Sequence, residues 1–331
     1  MRSHAAGDAI GVGLVGAGRV ALAHHLPVLA SLQGAEVVAI ADPDERALAA
    51  ALAQAPGARG DSAHEALLED PRVDVVAVLT PPAAHAPIVL DALRAGRHVF
   101  VEKPLAATAA DARAIEQAAA DAAGLLGVGF VYRRHRLVAE ALGDLRAGRI
   151  GALRAITGTF TGAGPADPRR GGPLLDLASH HVDLWRLFTG AEVEEAHAIV
   201  GSDTALLSAR MAGGTTACVT AGDALGRNHE LRLIGSEGTI ALRLDRFDGH
   251  ELVPAQALSG DPPLRLRRGA RLVRGIPAMA RSHRSGGDLS AAFAAQWSDL
   301  LAAVRGGAPF APGPADGRAA LEAVLLVQGA A

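Results

Sequence analysis

Sulfur and aromatic rings are scarce in this chain. Of its 331 residues, one is cysteine, three are methionine, one is tyrosine and two are tryptophan. A single cysteine, Cys218, excludes an internal disulfide and a cysteine-based zinc cluster, and in its apolar run it reads as a small buried strand residue. An excess of one charge is missing as well. The 32 Lys and Arg oppose 35 Asp and Glu, for a formal net charge of −3, so nothing points to a nucleic-acid or membrane partner. There is no run of about eighteen apolar residues, the length that reads as a membrane span. The opening residues Met1 to Asp8 are too polar for a secretory leader, and a cytoplasmic location is expected. No internal repeat appears. What the chain does have is 39 glycines and an apolar half, with 20% charged residues, ordinary proportions for a globular protein. Its length suggests two domains, each large enough for its own core.

The most informative stretch runs from Ile10 to Asp42. An apolar run, Ile10 to Val15, has the length and β-branching of a buried strand. A glycine turn follows, Gly16-Ala17-Gly18-Arg19-Val20-Ala21, then a helical segment from Val20 to about Leu32. A second apolar run, Val37 to Ala41, ends on Asp42. This is a βαβ unit with a dinucleotide fingerprint. Gly16 permits the tight turn and Gly18 lets the backbone approach a pyrophosphate. Ala21 stands where the third glycine would be and keeps helix and strand close. The helix N-terminus offers free N–H groups to the phosphates. A carboxylate at Asp42 can accept from a ribose diol and would repel a 2′-phosphate, which favours NAD over NADP.

Strand and helix continue to alternate after Asp42. Helices are expected over Glu45–Gln54, Ser62–Glu69 (with Ser62 and Glu65 as a capping box), His85–Ala95 and Asp111–Ala123. Strands are expected over Asp74–Leu79, His98–Val101 and Gly127–Val131. That alternation predicts an α/β, doubly wound parallel sheet, whose ligand lies at the carboxyl ends of the strands. Thr80-Pro81 and Glu102-Lys103-Pro104 fall there. From about residue 152 the grammar changes. A strand, Ala152–Phe160, and a helix, Pro173–Thr189, are followed by a series of strands: Val193–Val200, Thr204–Met211, Thr215–Ala221, His229–Ile234, Thr239–Leu244 and Leu264–Val273. Gly213-Gly214 reads as a hairpin turn. The second half is therefore expected to be an α+β domain with a mostly antiparallel sheet, with the boundary at 125/126. Two final helices, Leu289–Arg305 and Gly317–Gln328, are expected to pack against the sheets.

Three places carry candidate chemistry. Lys103, between Glu102 and Pro104 at a strand end, projects from the carboxyl edge. Its ammonium could hold a substrate hydroxyl or stabilise a developing alkoxide. On the helix after Pro173, Asp176 and His180 are spaced i and i+4, with Asp183 three further on, all toward one face. A carboxylate one turn from a histidine can orient the imidazole and keep it basic. The same pair could equally satisfy each other in a core, or ligate a metal with Asp183, although no second ligand cluster accompanies them and no metal is expected. Tyr132-Arg133-Arg134-His135-Arg136, after a strand, could bind a polar or carboxylate substrate, or form a solvated loop. The seven arginines between Arg265 and Arg284 could meet an anionic substrate or a neighbouring subunit, or form an exposed strand and loop.

GAGRVA with His24 behind it, AIADPDE, LTPPAAH, HVFVEKP, GFVYRRH, AGRIGALR and GGPLLDLASHHVDL occur in this order. With LRLIGSEGTIAL and the closing FAAQWSDLLAAVRGGAP, the sequence resembles the glucose–fructose oxidoreductase, inositol dehydrogenase and MocA family over nearly its whole length. The resemblance implies a Rossmann domain followed by a domain whose open sheet often forms a homo-oligomer interface. It implies reversible NAD(P)-dependent oxidation of a secondary alcohol on a sugar, polyol or cyclitol. By motif, Lys103 would polarise the reacting oxygen, Asp176 would position substrate and histidine, and His180 would take the hydroxyl proton as hydride leaves for the nicotinamide. Cofactor contacts would come from Gly16, Gly18, Arg19, Val20, Asp42, Thr80, Pro81, His85, Glu102 and Lys103, and substrate contacts from Tyr132, Arg133, Asp176 and His180. Pro173 and Ala178 replace residues that are more often glycine. With 3% aromatics, stacking on a sugar face would rest on few rings, such as Trp185 or Tyr132. Some relatives recycle tightly held NAD during glycoside cleavage or elimination, a second enzymatic reading. An NAD-binding regulator is the non-enzymatic one, and intact Lys103, Asp176 and His180 argue against it.

Overall fold

The computed structural model describes residues 8–165, 167–257, 261–284, 286–306 and 309–328. Residues 1–7, which make up all but one of those read above as too polar for a leader, lie outside the described residues. The chain divides into two units. One comprises the residues up to Phe130 with Phe293–Glu322, the other Val131–Ala292 with those from Ala323.

In the first unit six parallel strands, β1 (Ile10–Val15), β2 (Ala35–Ala41), β3 (Arg59–Asp61), β4 (Val75–Val78), β5 (His98–Val101) and β6 (Leu126–Val128), form one sheet. Its order is β3-β2-β1-β4-β5-β6, the doubly wound dinucleotide order, which reverses direction between β1 and β4. Helices α1 (Leu26–Ser31), α2 (Glu45–Gln54), α3 (His64–Glu69), α4 (His85–Arg94) and α5 (Ala109–Asp121) connect the strands. Every residue of β1, β4 and β5 is buried, as a sheet covered on both faces demands. Each such Val, Leu or Ile contributes about 1.5–3 kcal/mol by leaving water. The short strand β3 was not expected from sequence. It pairs with β2 through Asp61 and keeps the chain extended there. The expected Ser62 capping box consequently does not form: α3 starts at His64 after an extended Ala63 with no side-chain cap. The expected boundary at 125/126 also moves, because β6 pairs with β5 and draws residues 126–130 into the first unit.

The second unit opens with α6 (Arg136–Arg146), a helix not anticipated from sequence, whose first turn is capped by the His135 ring accepting from the Leu137 N–H. Then come β7 (Leu153–Thr161), α7 (Ser179–Thr189), β8 (Val193–Val200), β9 (Thr204–Met211), β10 (Thr216–Gly222), β11 (Asn228–Gly235), β12 (Gly238–Arg243) and β13 (His250–Pro254). The seven strands lie in the order β13-β12-β11-β7-β10-β9-β8. Every neighbouring pair is antiparallel except β7 with β10. Gly213 and Gly214 make the β9–β10 hairpin with φ of +89° at both positions, a conformation in which a Cβ would be strained. Along β9, Ala205, Leu207, Ala209 and Met211 are buried while Leu206 is exposed, so one face of the sheet is covered and the other is open. The turn Leu174–Ala178 packs on the covered side against β7, β9 and β10.

Three helices close the chain: α8 (Pro262–Arg284), α9 (Gly287–Gly306) and α10 (Pro314–Gln328). The segment Leu264–Val273, expected as a strand, lies inside α8. The Leu-Arg-Leu-Arg opening mimics a two-residue period, but the apolar positions Leu266, Ala270, Val273 and Ile276 recur at three- and four-residue steps, which is helical. Pro262 and Pro263 fit a first helical turn, where no N–H is needed. Among the described residues no helix is long and apolar enough to cross a membrane.

Candidate active site

In the first unit the glycine turn leaves β1 at the point where the strand order reverses. Gly16 has φ of +100°, and a Cβ there would lie 2.8 Å from the Leu79 carbonyl carbon at the end of β4. Glycine is thus required by the protein's own packing. Gly18 differs: it is exposed, and a Cβ built on it meets nothing within 4 Å. Internal packing gives no reason for glycine at 18, whereas a pyrophosphate approaching the backbone does. Asp42 joins the two halves of the fingerprint. One of its carboxylate oxygens accepts the Ala17 N–H at 2.7 Å and the other the Asp44 N–H at 2.8 Å. Each oxygen keeps a lone pair for a ribose hydroxyl. Arg19 is exposed and Val20 half-buried beside the open turn. These features fit a bound dinucleotide.

Further along the same sheet edge, Thr80 and Pro81 follow β4 while Glu102 and Lys103 follow β5. His85 was expected to touch the cofactor, but it is fully buried. Its Nδ1 lies 2.9 Å from the Pro104 carbonyl oxygen and its Nε2 2.8 Å from that of Thr80. The ring ties the two edge loops together, and burial pushes its pKa down. Glu102 is also buried. One carboxylate oxygen meets His25 Nε2 at 3.0 Å, and the other accepts the Lys103 N–H at 3.1 Å. Lys103 itself is half-buried.

The second unit gathers Tyr132 and His180 in one aromatic cluster. The edge of His180 meets Tyr132 at 4.9 Å between ring centres, with planes at 85°. Phe160 lies at 5.8 Å from both rings. His229 stacks on Phe160 at 3.8 Å and meets Tyr132 edge-on at 4.4 Å. Burial drives His229 well below the usual histidine range and His181 down to about 3. These imidazoles therefore stay neutral and put no standing charge beside His180. The Tyr132 hydroxyl is pushed up, chiefly by burial, and stays protonated.

A π turn, Leu174–Ala178, precedes α7, just as another, Ala21–His25, precedes α1. Such wide turns recur at functional sites. Here the turn places Asp176 3.1 Å from the Arg170 guanidinium, a partner that sequence spacing did not indicate. Asp183, expected to share a face with Asp176 and His180, receives a bidentate bond from Arg133. Arg133 was expected to meet substrate; its guanidinium is instead turned into this buried pair. Trp185, considered for stacking on a sugar, is fully buried and unavailable for that role. His229 and Phe160 were missed, because strand residues that stack only after β7 and β11 pair leave no local pattern.

Comparison with known proteins accords with this geometry. Residues 10–130 match the family model described as "Oxidoreductase family, NAD-binding Rossmann fold", and residues 139–241 match the GFO/IDH/MocA C-terminal domain. The chain is 32% identical to a dTDP-3,4-didehydro-2,6-dideoxy-alpha-D-glucose 3-reductase of Streptomyces violaceoruber, over 75% of this chain and 81% of the relative. It is 30% identical to an inositol 2-dehydrogenase of Acidothermus cellulolyticus, over 73% and 77% respectively. The WlbA dehydrogenase of Bordetella pertussis, solved with NADH and UDP-GlcNAcA, shares the fold with a TM-score of 0.77 at 21% identity, covering 98% of this chain and 97% of that one. The chain belongs to the GFO/IDH/MocA family and is an NAD-binding dehydrogenase of that family.

Proposed function

We propose that this dehydrogenase transfers hydride between nicotinamide and a secondary alcohol of a sugar, polyol or cyclitol, with Lys103 and His180 as the groups that handle the oxygen and its proton. In the oxidising direction Lys103 donates to the substrate oxygen and stabilises its negative charge as the proton departs. His180 accepts that proton. Asp176 positions the substrate hydroxyls, and Arg170 holds its carboxylate. NAD, when bound, supplies the redox step, and the chain supplies geometry and electrostatics. The observation that carries this reading is the setting of His180. It is a buried imidazole packed between Tyr132 and Phe160, with neighbours His181 and His229 kept neutral by burial.

The test is a panel of inositols, sugars and nucleotide sugars assayed for NADH formation, with Lys103→Ala and His180→Ala alongside. Loss of each group is expected to lower turnover about 10²- to 10⁴-fold. Wild-type turnover in both variants would remove these two residues from the reaction. The open face of the seven-stranded sheet, with Ile199 73% exposed, supports self-association through that sheet. Sedimentation of Ile199→Glu as a smaller species than wild type is the expected outcome.

A further inference from the structure

A buried chain of donors runs through the first unit and ends at the residue before Lys103. The Trp297 indole N–H donates to His25 Nδ1 at 3.0 Å. A ring nitrogen that accepts carries no proton, so the neutral His25 must carry its hydrogen on Nε2. That Nε2–H faces Glu102, 3.0 Å from Oε1. The other Glu102 oxygen accepts the Lys103 backbone N–H at 3.1 Å. Trp297 and His25 are completely buried, and Glu102 nearly so. Phe100 and Phe293 close around His25 at 5.5 and 5.1 Å between ring centres. Gly129 makes room for the carboxylate, since a Cβ there would lie 2.9 Å from the Glu102 carboxyl carbon.

We infer that His25 and Trp297 are positioning residues for Lys103: the Trp297→His25→Glu102 chain selects one imidazole tautomer, fixes the carboxylate, and through it holds the backbone from which the Lys103 side chain departs. This rests on the role proposed for Lys103 above. Neither His25 nor Trp297 needs to touch substrate or cofactor. A lysine that must meet a developing charge within a few tenths of an ångström gains from a turn anchored in the core. A displacement of about 1 Å can cost 10²-fold in rate.

Three variants and one spectrum test the chain. Trp297→Phe removes the indole N–H but keeps an aromatic ring. His25→Leu removes both bonds. His25→Gln can accept from Trp297 and donate to Glu102. Turnover is expected to fall about ten- to hundred-fold in Trp297→Phe and His25→Leu. KM for the alcohol and the Kd for NAD by fluorescence titration should change little. The melting temperature should fall, because each change strands a buried polar partner, so turnover is compared well below it. His25→Gln should recover to within about threefold of wild type. In ¹⁵N NMR of the wild-type protein without cofactor, His25 should show the Nε2–H tautomer. The inference is overturned by an Nδ1–H tautomer, by unchanged turnover in both disruptive variants, or by losses that merely follow melting temperature. A His25→Leu protein that fails to fold leaves the Trp297→Phe kinetics and the spectrum to decide. Lys103→Ala separates the two readings: full activity there removes the proposed role of Lys103, whereas severe loss there with normal Trp297→Phe and His25→Leu removes only the positioning chain.

Discussion

Arg133 and Asp183, fifty positions apart, form a buried side-on ion pair: guanidinium Nη2 lies 2.6 Å and Nε 2.9 Å from the carboxylate oxygens. The Asp183 side chain is 1% exposed and that of Arg133 11%. Breaking such a pair from one side leaves an uncompensated buried charge, which costs about 3–5 kcal/mol. Arg133→Ala should therefore lower the stability measured by urea unfolding by roughly that amount. The double replacement Arg133→Met with Asp183→Leu should regain much of it. A loss under about 1 kcal/mol, as for a surface pair, would contradict the buried geometry.

Gly16 and Gly18 should part company on substitution. Gly16→Ala places a Cβ against the Leu79 backbone at a φ of +100°. Strain of this kind costs about 1–3 kcal/mol, so the melting temperature should fall. Gly18→Ala meets nothing in the protein and should melt like wild type while binding NAD at least about tenfold more weakly. Equal NAD affinity in Gly18→Ala and wild type would contradict the assignment of that open space to the pyrophosphate.

Asp42→Asn keeps an acceptor for the Ala17 N–H but removes the negative charge that opposes a 2′-phosphate. Calorimetric titration should show NADP binding improving relative to NAD by an order of magnitude or so, about 1.4 kcal/mol. An unaltered ratio would mean that something other than this carboxylate sets the preference.

Acid should destabilise the second unit through its buried imidazoles. His181 is held down to about 3 by burial, so the unfolded chain takes up its proton first, near 6.5. Between pH 6.5 and about 3 the unfolded state binds more protons, and stability falls as pH falls. Above 6.5 this contribution is constant. His229 and His135 are lowered by the same cause and act in the same direction. Urea unfolding at successive pH values should show a dependence shallower by about 1.4 kcal/mol per unit below pH 6.5 in His181→Gln than in wild type. Parallel profiles would show that His181 takes up its proton at the same pH folded and unfolded.

Sequence alone determined a good deal here. The run Ile10–Asp42 is legible because each of its signals is local. A β-branched strand, two glycines, a helix and a terminal aspartate at fixed intervals need no partner elsewhere to be read. Strands β4, β5 and β6 are legible for the same reason, since sheets buried on both faces require uninterrupted apolar runs. The short edge strand β3, Arg59-Gly60-Asp61, has no such run and was not expected. Local pattern also misled. Ser62 and Glu65 have the spacing of a capping box but do not cap α3. The Leu-Arg alternation at the start of α8 has a strand-like period for a few residues that only the longer helical spacing overrides.

The tertiary structure decided who pairs with whom. Trp297 bonds to His25 across 272 positions, Arg133 turns to Asp183, and Arg170 takes Asp176. Phe160 and His229 stack because β7 and β11 are antiparallel neighbours that place them opposite one another. None of these partnerships has a sequence signature, because burial makes a polar group find a partner without prescribing which one. The dinucleotide turn could be read one residue at a time. The side chains that hold Glu102, Asp176 and Asp183 in place became visible only when distant elements were folded together.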